Sequence, residues 1–237
     1  AALRQGTPLA EFGAQISDLA GGRERLAIGL EDGGVVLLDG AGAVRARAAF
    51  PTEVSAIGTI PSPAGDLVAV GCRPVDTRTI AEGSLRLLDA DGRVLWTHQI
   101  LPFRGRPGTP TTIFPAWLAG RDQPPAIVVG VEAQHYYAFD LEGRQVLAKQ
   151  VVHGATVGAA GDLDGDGRDE IFGGIEYYWH EIFDAEGKRL SRSTTSPWDN
   201  AVAFGAVPAD GPRRFFAARR DGCLYAECPP GSGGRPW

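Results

Sequence analysis

The chain has 237 residues, a formal net charge of −6 and no methionine. That length buries a substantial core, and no segment approaches the roughly 20 consecutive apolar residues of a membrane-spanning helix. The acidic balance, without a basic cluster, argues against nucleic acid and anionic membrane surfaces as partners.

Taken in chain order, short apolar runs return with the same punctuation. RLAIG, LVAVG, AIVVG, EIFGG and RFFAA end around Gly29, Gly71, Gly130, Gly174 and Ala217, at intervals of 42, 59, 44 and 43 residues. In four of these copies an acid follows ten positions later, after a second apolar run: Asp39, Asp140, Asp184 and Glu227. The second copy reaches Asp89 with eight extra residues. Gly42, Gly92, Gly143 and Gly187 stand three residues beyond the aspartates, which reads as a tight turn before a further strand. Five such copies predict an all-β chain, a β-propeller or a related array. The repeats fall at about 14–50, 54–100, 111–152, 155–195 and 201–227, within one domain over 1–237.

Between the third and fifth copies runs Gly161-Asp162-Leu163-Asp164-Gly165-Asp166-Gly167-Arg168-Asp169-Glu170. Three carboxylates at alternate positions, broken by glycines, suit a hard cation such as Ca²⁺, which takes six to eight oxygens at about 2.3–2.6 Å. Asp162, Asp164 and Asp166 would give side-chain oxygens, Arg168 a backbone carbonyl and Glu170 the closing carboxylate. A helix-flanked twelve-residue calcium loop is excluded, because this one closes after nine residues and leads into a strand.

The loop and its flanks resemble the FG-GAP/VCBS type of propeller repeat, and SLRLLDADGRVLW resembles the repeat of pyrroloquinoline-quinone-type propellers. The first resemblance implies a propeller with a structural calcium. Matching loops in the other copies lack the ligands, as at Asp18-Leu19-Ala20-Gly21-Gly22, Pro61-Ser62-Pro63-Ala64-Gly65 and Ala209-Asp210-Gly211, so one ion is implied. The absence of an initiator methionine together with a weak calcium site, which fills where the ion is millimolar, leads to the expectation of a processed, exported protein.

Ring closure is the open point of the architecture. The fifth copy offers three strands, Ala201–Ala206, Arg213–Ala218 and Gly222–Glu227, and the following CPPGSGGRPW cannot make a fourth. Ala2–Leu9 could supply the missing outer strand, giving five four-stranded blades closed by the N-terminal strand. The competing reading is a piece of a larger ring, or an open edge completed by a partner. Cys72, Cys223 and Cys228 are expected to be unpaired thiols, since five residues of strand separate the last two by about 16 Å.

A propeller carries its metal loop on one face and its variable connections on the other. On that second face fall the insertions 73–82 and 101–112, with Arg104, Arg106 and an exposed-looking Phe103, and also His135 and His153. The fourth copy adds Glu176-Tyr177-Tyr178-Trp179, and the next connector adds Trp198 and Asp199. Aromatics beside acids and arginines suit a protein hot spot or sugar stacking; the alternative is that the Trp residues wedge between blades and the Tyr residues cap the core. Nucleophile-elbow, zinc-protease, phosphate-loop and haem motifs are missing, while Glu53, Asp76 and Asp199 are candidates for paired acids at the mouth. Three functions stay open: a non-catalytic interaction or accessory subunit of an exported or membrane-associated assembly, a glycan-binding propeller, and a polysaccharide-acting enzyme or quinoprotein. A lectin should repeat its aromatic pocket, yet the aromatic turn occurs in the fourth copy alone.

Overall fold

The computed structural model describes residues 11–75, 81–177, 179–193, 199–206, 213–219 and 224–227. All the regular elements among them are β-strands. The first sheet holds β1 (Ile16–Gly21), β2 (Arg25–Leu30), β3 (Gly34–Asp39) and β4 (Val44–Ala49). The second holds β5 (Val54–Ile60), β6 (Leu67–Cys72), β7 (Gly83–Leu88) and β8 (Val94–Ile100). In the third are β9 (Pro110–Ala116), β10 (Ala126–Val131), β11 (His135–Phe139) and β12 (Gln145–Gln150). The fourth contains β13 (Ala155–Gly161), β14 (Glu170–Ile175), β15 (Trp179–Phe183) and β16 (Arg189–Ser193). The fifth contains β17 (Asp199–Ala206), β18 (Arg213–Arg219) and β19 (Leu224–Glu227).

Each sheet is an antiparallel meander whose strands pair in sequence order. The first strands of successive sheets pack on one another, β1 on β5, β5 on β9, β9 on β13 and β13 on β17. The sheets therefore radiate from a common axis, and the molecule is a β-propeller. The expected closing strand, Ala2–Leu9, lies outside the described residues, as do Cys223 and Cys228. Cys72 is a buried free thiol.

The second strand of each of the first four sheets is largely an apolar run because both of its faces are covered. In β10, Ile127, Val129 and Val131 enter the core shared with the second sheet, while Ala126 and Val128 enter the core shared with the fourth. The recurring glycine has the same origin. A Cβ on Gly29 would meet Val54 at 2.5 Å, one on Gly71 would meet Pro110 at 2.5 Å, and one on Gly130 would meet Ala155 at 2.9 Å. The contacted residue is in these three the first of the next sheet's inner strand, where the following blade presses on the glycine, while a Cβ on Gly174 would meet Val157 and Thr156 of its own sheet. Strand register corrects one sequence expectation. Gly29, Gly71 and Gly130 face Asp18, Ala56 and Thr112, and the fifth-sheet residue in that place is Ala218, facing Ala201, and not Ala217. Gly130→Ala should cost about 1–3 kcal/mol by overpacking, since Thr112 and Tyr136 also stand 2.8 Å from the added carbon. A urea melt checks this, and an unchanged midpoint would remove the packing explanation of the repeat.

The Asp-x-x-Gly turns are equally physical. Asp39 Oδ1 accepts the N–H groups of Ala41 and Ala43 at 2.9 Å, and Gly42 takes φ 82°. Asp89, Asp140 and Asp184 repeat the arrangement with Gly92, Gly143 and Gly187 at φ 78°, 83° and 78°. A left-handed glycine ends the turn and leaves a bulge in the outgoing strand.

Carboxylates also latch one sheet to another. Asp18 Oδ2 accepts Ile57 N–H at 2.8 Å, and Asp66 Oδ2 accepts Arg23 N–H at 2.7 Å. Burial pushes the Asp18 carboxyl above its ordinary range, against the pull of the Ile57 and Leu19 N–H groups. A carboxyl raised on folding stabilises fully below its unfolded pKa, and that contribution is lost as pH climbs through the raised value. Asp18→Asn has no charge to bury, so its stability should improve relative to wild type between about pH 4 and neutrality. Urea melts at the two pH values give the comparison; a constant gap contradicts the burial argument.

Candidate functional site

The aspartate-rich loop joins β13 to β14. Oxygens of Asp162, Asp164 and Asp166 all lie within 4.8 Å of one another, with Asp162 buried and the other two exposed. Two oxygens on one calcium ion are at most about 5 Å apart, so this grouping fits a single coordination shell. The loop curls because Gly165 and Gly167 adopt φ 88° and 90°. It is held by its own carboxylates: Gly165 N–H donates to Asp162 at 2.7 Å, Asp166 N–H to Asp164 at 3.1 Å and Arg168 N–H to Asp166 at 2.8 Å. An all-oxygen, carboxylate-rich donor set is the chemistry of Ca²⁺.

Glu170, expected to close the shell, is 4% exposed, and its Oε2 accepts Leu163 N–H at 2.7 Å. Its carboxyl is pushed up by burial, opposed by the Leu163 N–H and raised further by the charges of Asp164 and Asp166. The structure thus groups three of the expected ligands and uses Glu170 to hold the loop backbone. The Arg168 side chain ties the loop sideways, donating from Nε to Leu118 O at 2.7 Å and pairing with Glu186.

Three parts of this region escaped the sequence reading. Leu163, between two ligand candidates, is a core residue packed with Phe172, Phe215 and Ala217. Asp169 is 1% exposed and belongs to the third sheet's turn: its Oδ2 accepts Trp117 N–H at 2.8 Å, its own N–H donates to Trp117 O at 3.1 Å, and Arg121 pairs with it at 2.5 Å. Arg213, the first residue of β18, pairs with Asp162 at 2.7 Å. None has a local signature, since all three depend on which turns the ring brings together. Beside the loop, the seam between the third and fourth sheets opens into a groove of about 680 Å³, floored by Leu118, Pro125, Leu141 and Val146 and walled by Arg144 and Arg168.

On the opposite face the residue after each second strand takes up one repeated position. Glu31, Arg73, Glu132 and Glu176 donate their N–H groups to the carbonyls of Gln15, Glu53, Thr109 and Gly154, each the residue just before an inner strand. The side chains of Arg73, Glu132 and Glu176, with Glu53 and Arg106, form a rim of paired charges. Arg73 pairs with Glu53 at 3.0 Å and reaches Glu132 at 4.0 Å, while Arg106 pairs with Glu176 at 2.6 Å. Burial pushes the Glu132 carboxyl up. Glu53 is thus engaged by an arginine. Asp76 lies outside the described residues, and Asp199 begins β17.

Aromatic rings stand on this rim. His135 stacks on Tyr137 at 5.0 Å and meets the edge of Phe103 at 4.9 Å, and His153 meets Tyr177 edge-on at 4.7 Å. Tyr177 is 45% exposed and held at φ 74°, a conformation costly for a residue with a Cβ. Phe103 departs from its expected exposure: it is half-buried against the core of the second and third sheets, because the 101–112 insertion folds back through a Phe103–Arg106 bridge. Arg104 stays exposed, with its guanidinium 5.1 Å from the Phe103 ring. Trp179 packs against the core of the third and fourth sheets under Arg192, which is the wedging alternative and not a free surface. Tyr178 and Trp198 lie outside the described residues.

No protein-family model and no curated protein matches the sequence. Solved structures do match. The computationally designed Ika8 protein shares 14% identity at a TM-score of 0.65, covering 90% of this chain and 57% of Ika8. BBS1N, a β-propeller crystallised in complex with ARL6DN, shares 14% identity at a TM-score of 0.68 in mercury-soaked crystals and 13% at 0.69 in lead-soaked ones. Those alignments take in 92% and 98% of this chain and 66% and 68% of BBS1N. The chain thus spans about three-fifths to two-thirds of the proteins it matches. At this identity the likeness concerns architecture: the chain shares with them the β-propeller fold.

Proposed function

We propose that this propeller is a non-catalytic, calcium-stabilised scaffold that engages another protein through its connector face, as an accessory subunit of an exported or membrane-associated assembly. The observation that carries the reading is Tyr177. An aromatic residue held at positive φ, nearly half exposed and set beside the Arg106–Glu176 pair, stores strain at the one face where the repeats diverge. Aromatic and arginine side chains on a rigid rim are the usual anchors of protein recognition. The complex of BBS1N with ARL6DN is a precedent for a propeller of this architecture engaging a protein. The calcium reading rests on the three grouped carboxylates of the loop, and the exported location is proposed because weak calcium sites fill where the ion is millimolar.

The test is affinity purification of the tagged chain from its source, with wild type against Arg106→Glu and Tyr177→Ala. A defined partner that co-purifies with wild type and is lost at least about tenfold in both variants is expected, with melting temperatures kept within a few degrees. Retention of the same partner by both variants would place the interface elsewhere. Glycan-array binding by a partner-free monomer would favour the sugar reading, for which the stacked His135–Tyr137 pair is the supporting feature.

A further inference from the structure

The loop already faces a cation of the protein's own. Arg213 Nη1 lies 2.7 Å from Asp162 Oδ2 and 3.1 Å from Asp162 O, reaching across from the fifth sheet. The Asp162 carboxylate also accepts Gly165 N–H at 2.7 Å and Gly167 N–H at 3.3 Å. A carboxylate oxygen has about two lone-pair sites; Gly167 and Arg213 take both of those on Asp162 Oδ2, so an ion that binds there must displace one of them. Arg213 also anchors its sheet: Phe215 and Ala217, two and four residues along β18, fill the core into which Leu163 of the loop is inserted.

We propose that Arg213 is the loop's resident counter-cation and that a divalent ion competes with it for Asp162. The inference rests on the calcium reading above and adds a regulation to it. A guanidinium and a calcium ion sharing one carboxylate repel each other across a few ångströms, and the half-exposed arginine has solvent as an alternative, being 52% exposed against 10% for Asp162. Arg213 therefore weakens calcium binding. By reciprocity, calcium weakens the Arg213–Asp162 contact, one of the ties of β18 to the loop, to the same degree. The fifth sheet thereby senses calcium, although none of its described residues belongs to the carboxylate group.

Calorimetric titration of calcium chloride into chelator-stripped full-length wild type, Arg213→Gln and Arg213→Lys tests this. Arg213→Gln should bind calcium about five-fold tighter or more, with Arg213→Lys close to wild type and the gap shrinking as salt rises. On wild type alone, amide exchange in 213–219 should speed up when calcium is added, a readout that stands even if Arg213→Gln folds poorly. Unchanged or weaker calcium binding by folded Arg213→Gln overturns the competition and leaves the calcium site intact. Slower or unchanged exchange in wild type overturns it as well. If neither wild type nor Arg213→Gln binds calcium, the loop reading falls and this inference falls with it.

Discussion

A chain carrying Asp164→Ala and Asp166→Ala is expected to bind no calcium and to melt at the same temperature with the ion as with a chelator. Both side chains are exposed, so their removal opens no cavity. What they do without metal is modest: each accepts one loop N–H, from Asp166 and from Arg168. An exposed hydrogen bond of this kind contributes on the order of 1 kcal/mol, partly offset by relief of repulsion among crowded carboxylates. Wild type is expected to behave differently, because an ion that binds only the folded state adds about 2.7 kcal/mol at one hundred times its Kd. In a domain of this size that corresponds to a rise of roughly 5–10 °C. The measurement is a calorimetric scan of both proteins in calcium and in chelator. A wild-type melt indifferent to calcium would contradict the structural-ion reading.

Asp169→Ala should be the more damaging change, and in a different way. The residue sits next to the aspartate-rich loop but faces the third sheet, where it satisfies Trp117 N–H and Arg121. Alanine leaves a part-buried N–H without its acceptor and releases an arginine that otherwise lies 4.4 Å over the Trp117 ring. Leaving a buried donor unsatisfied costs about 1–3 kcal/mol, and the lost ion pair adds about 1 kcal/mol, discounted because Arg121 is half exposed. The expected total is about 2–4 kcal/mol, read as a shift in urea midpoint at unchanged slope. Asparagine separates the causes. It keeps an acceptor for Trp117 and has no charge to bury, and burial pushes the Asp169 carboxyl up. Asp169→Asn should therefore lose less than half of what alanine loses at neutral pH; equal losses would mean that charge, and not the hydrogen bond, is the dominant contribution.

What could be read from the sequence was whatever is enforced within one blade. The Asp-x-x-Gly turns announce themselves because a left-handed glycine and a capping carboxylate are local requirements, met four times in the same form. The glycine of the second strand was visible as a repeat, but its cause was not. It answers to Val54, Pro110 or Ala155 of the next sheet, contacts that no single segment encodes. The same limit hid Asp169, Leu163 and Arg213. In the string DLDGDGRDE four acids look like ligands and Asp169 has no role, and only stacking of the sheets assigns Asp169 to Trp117 and Glu170 to the loop backbone. Phe103 was misjudged for a related reason, since a short bridge within the insertion turns its ring inward.

Native mass spectrometry of the protein, purified gently from its source with and without chelator, tests the central claim most directly. The account predicts one calcium per chain, lost with chelator, and a mass that includes a protein partner. A metal-free chain running alone in both conditions would contradict it.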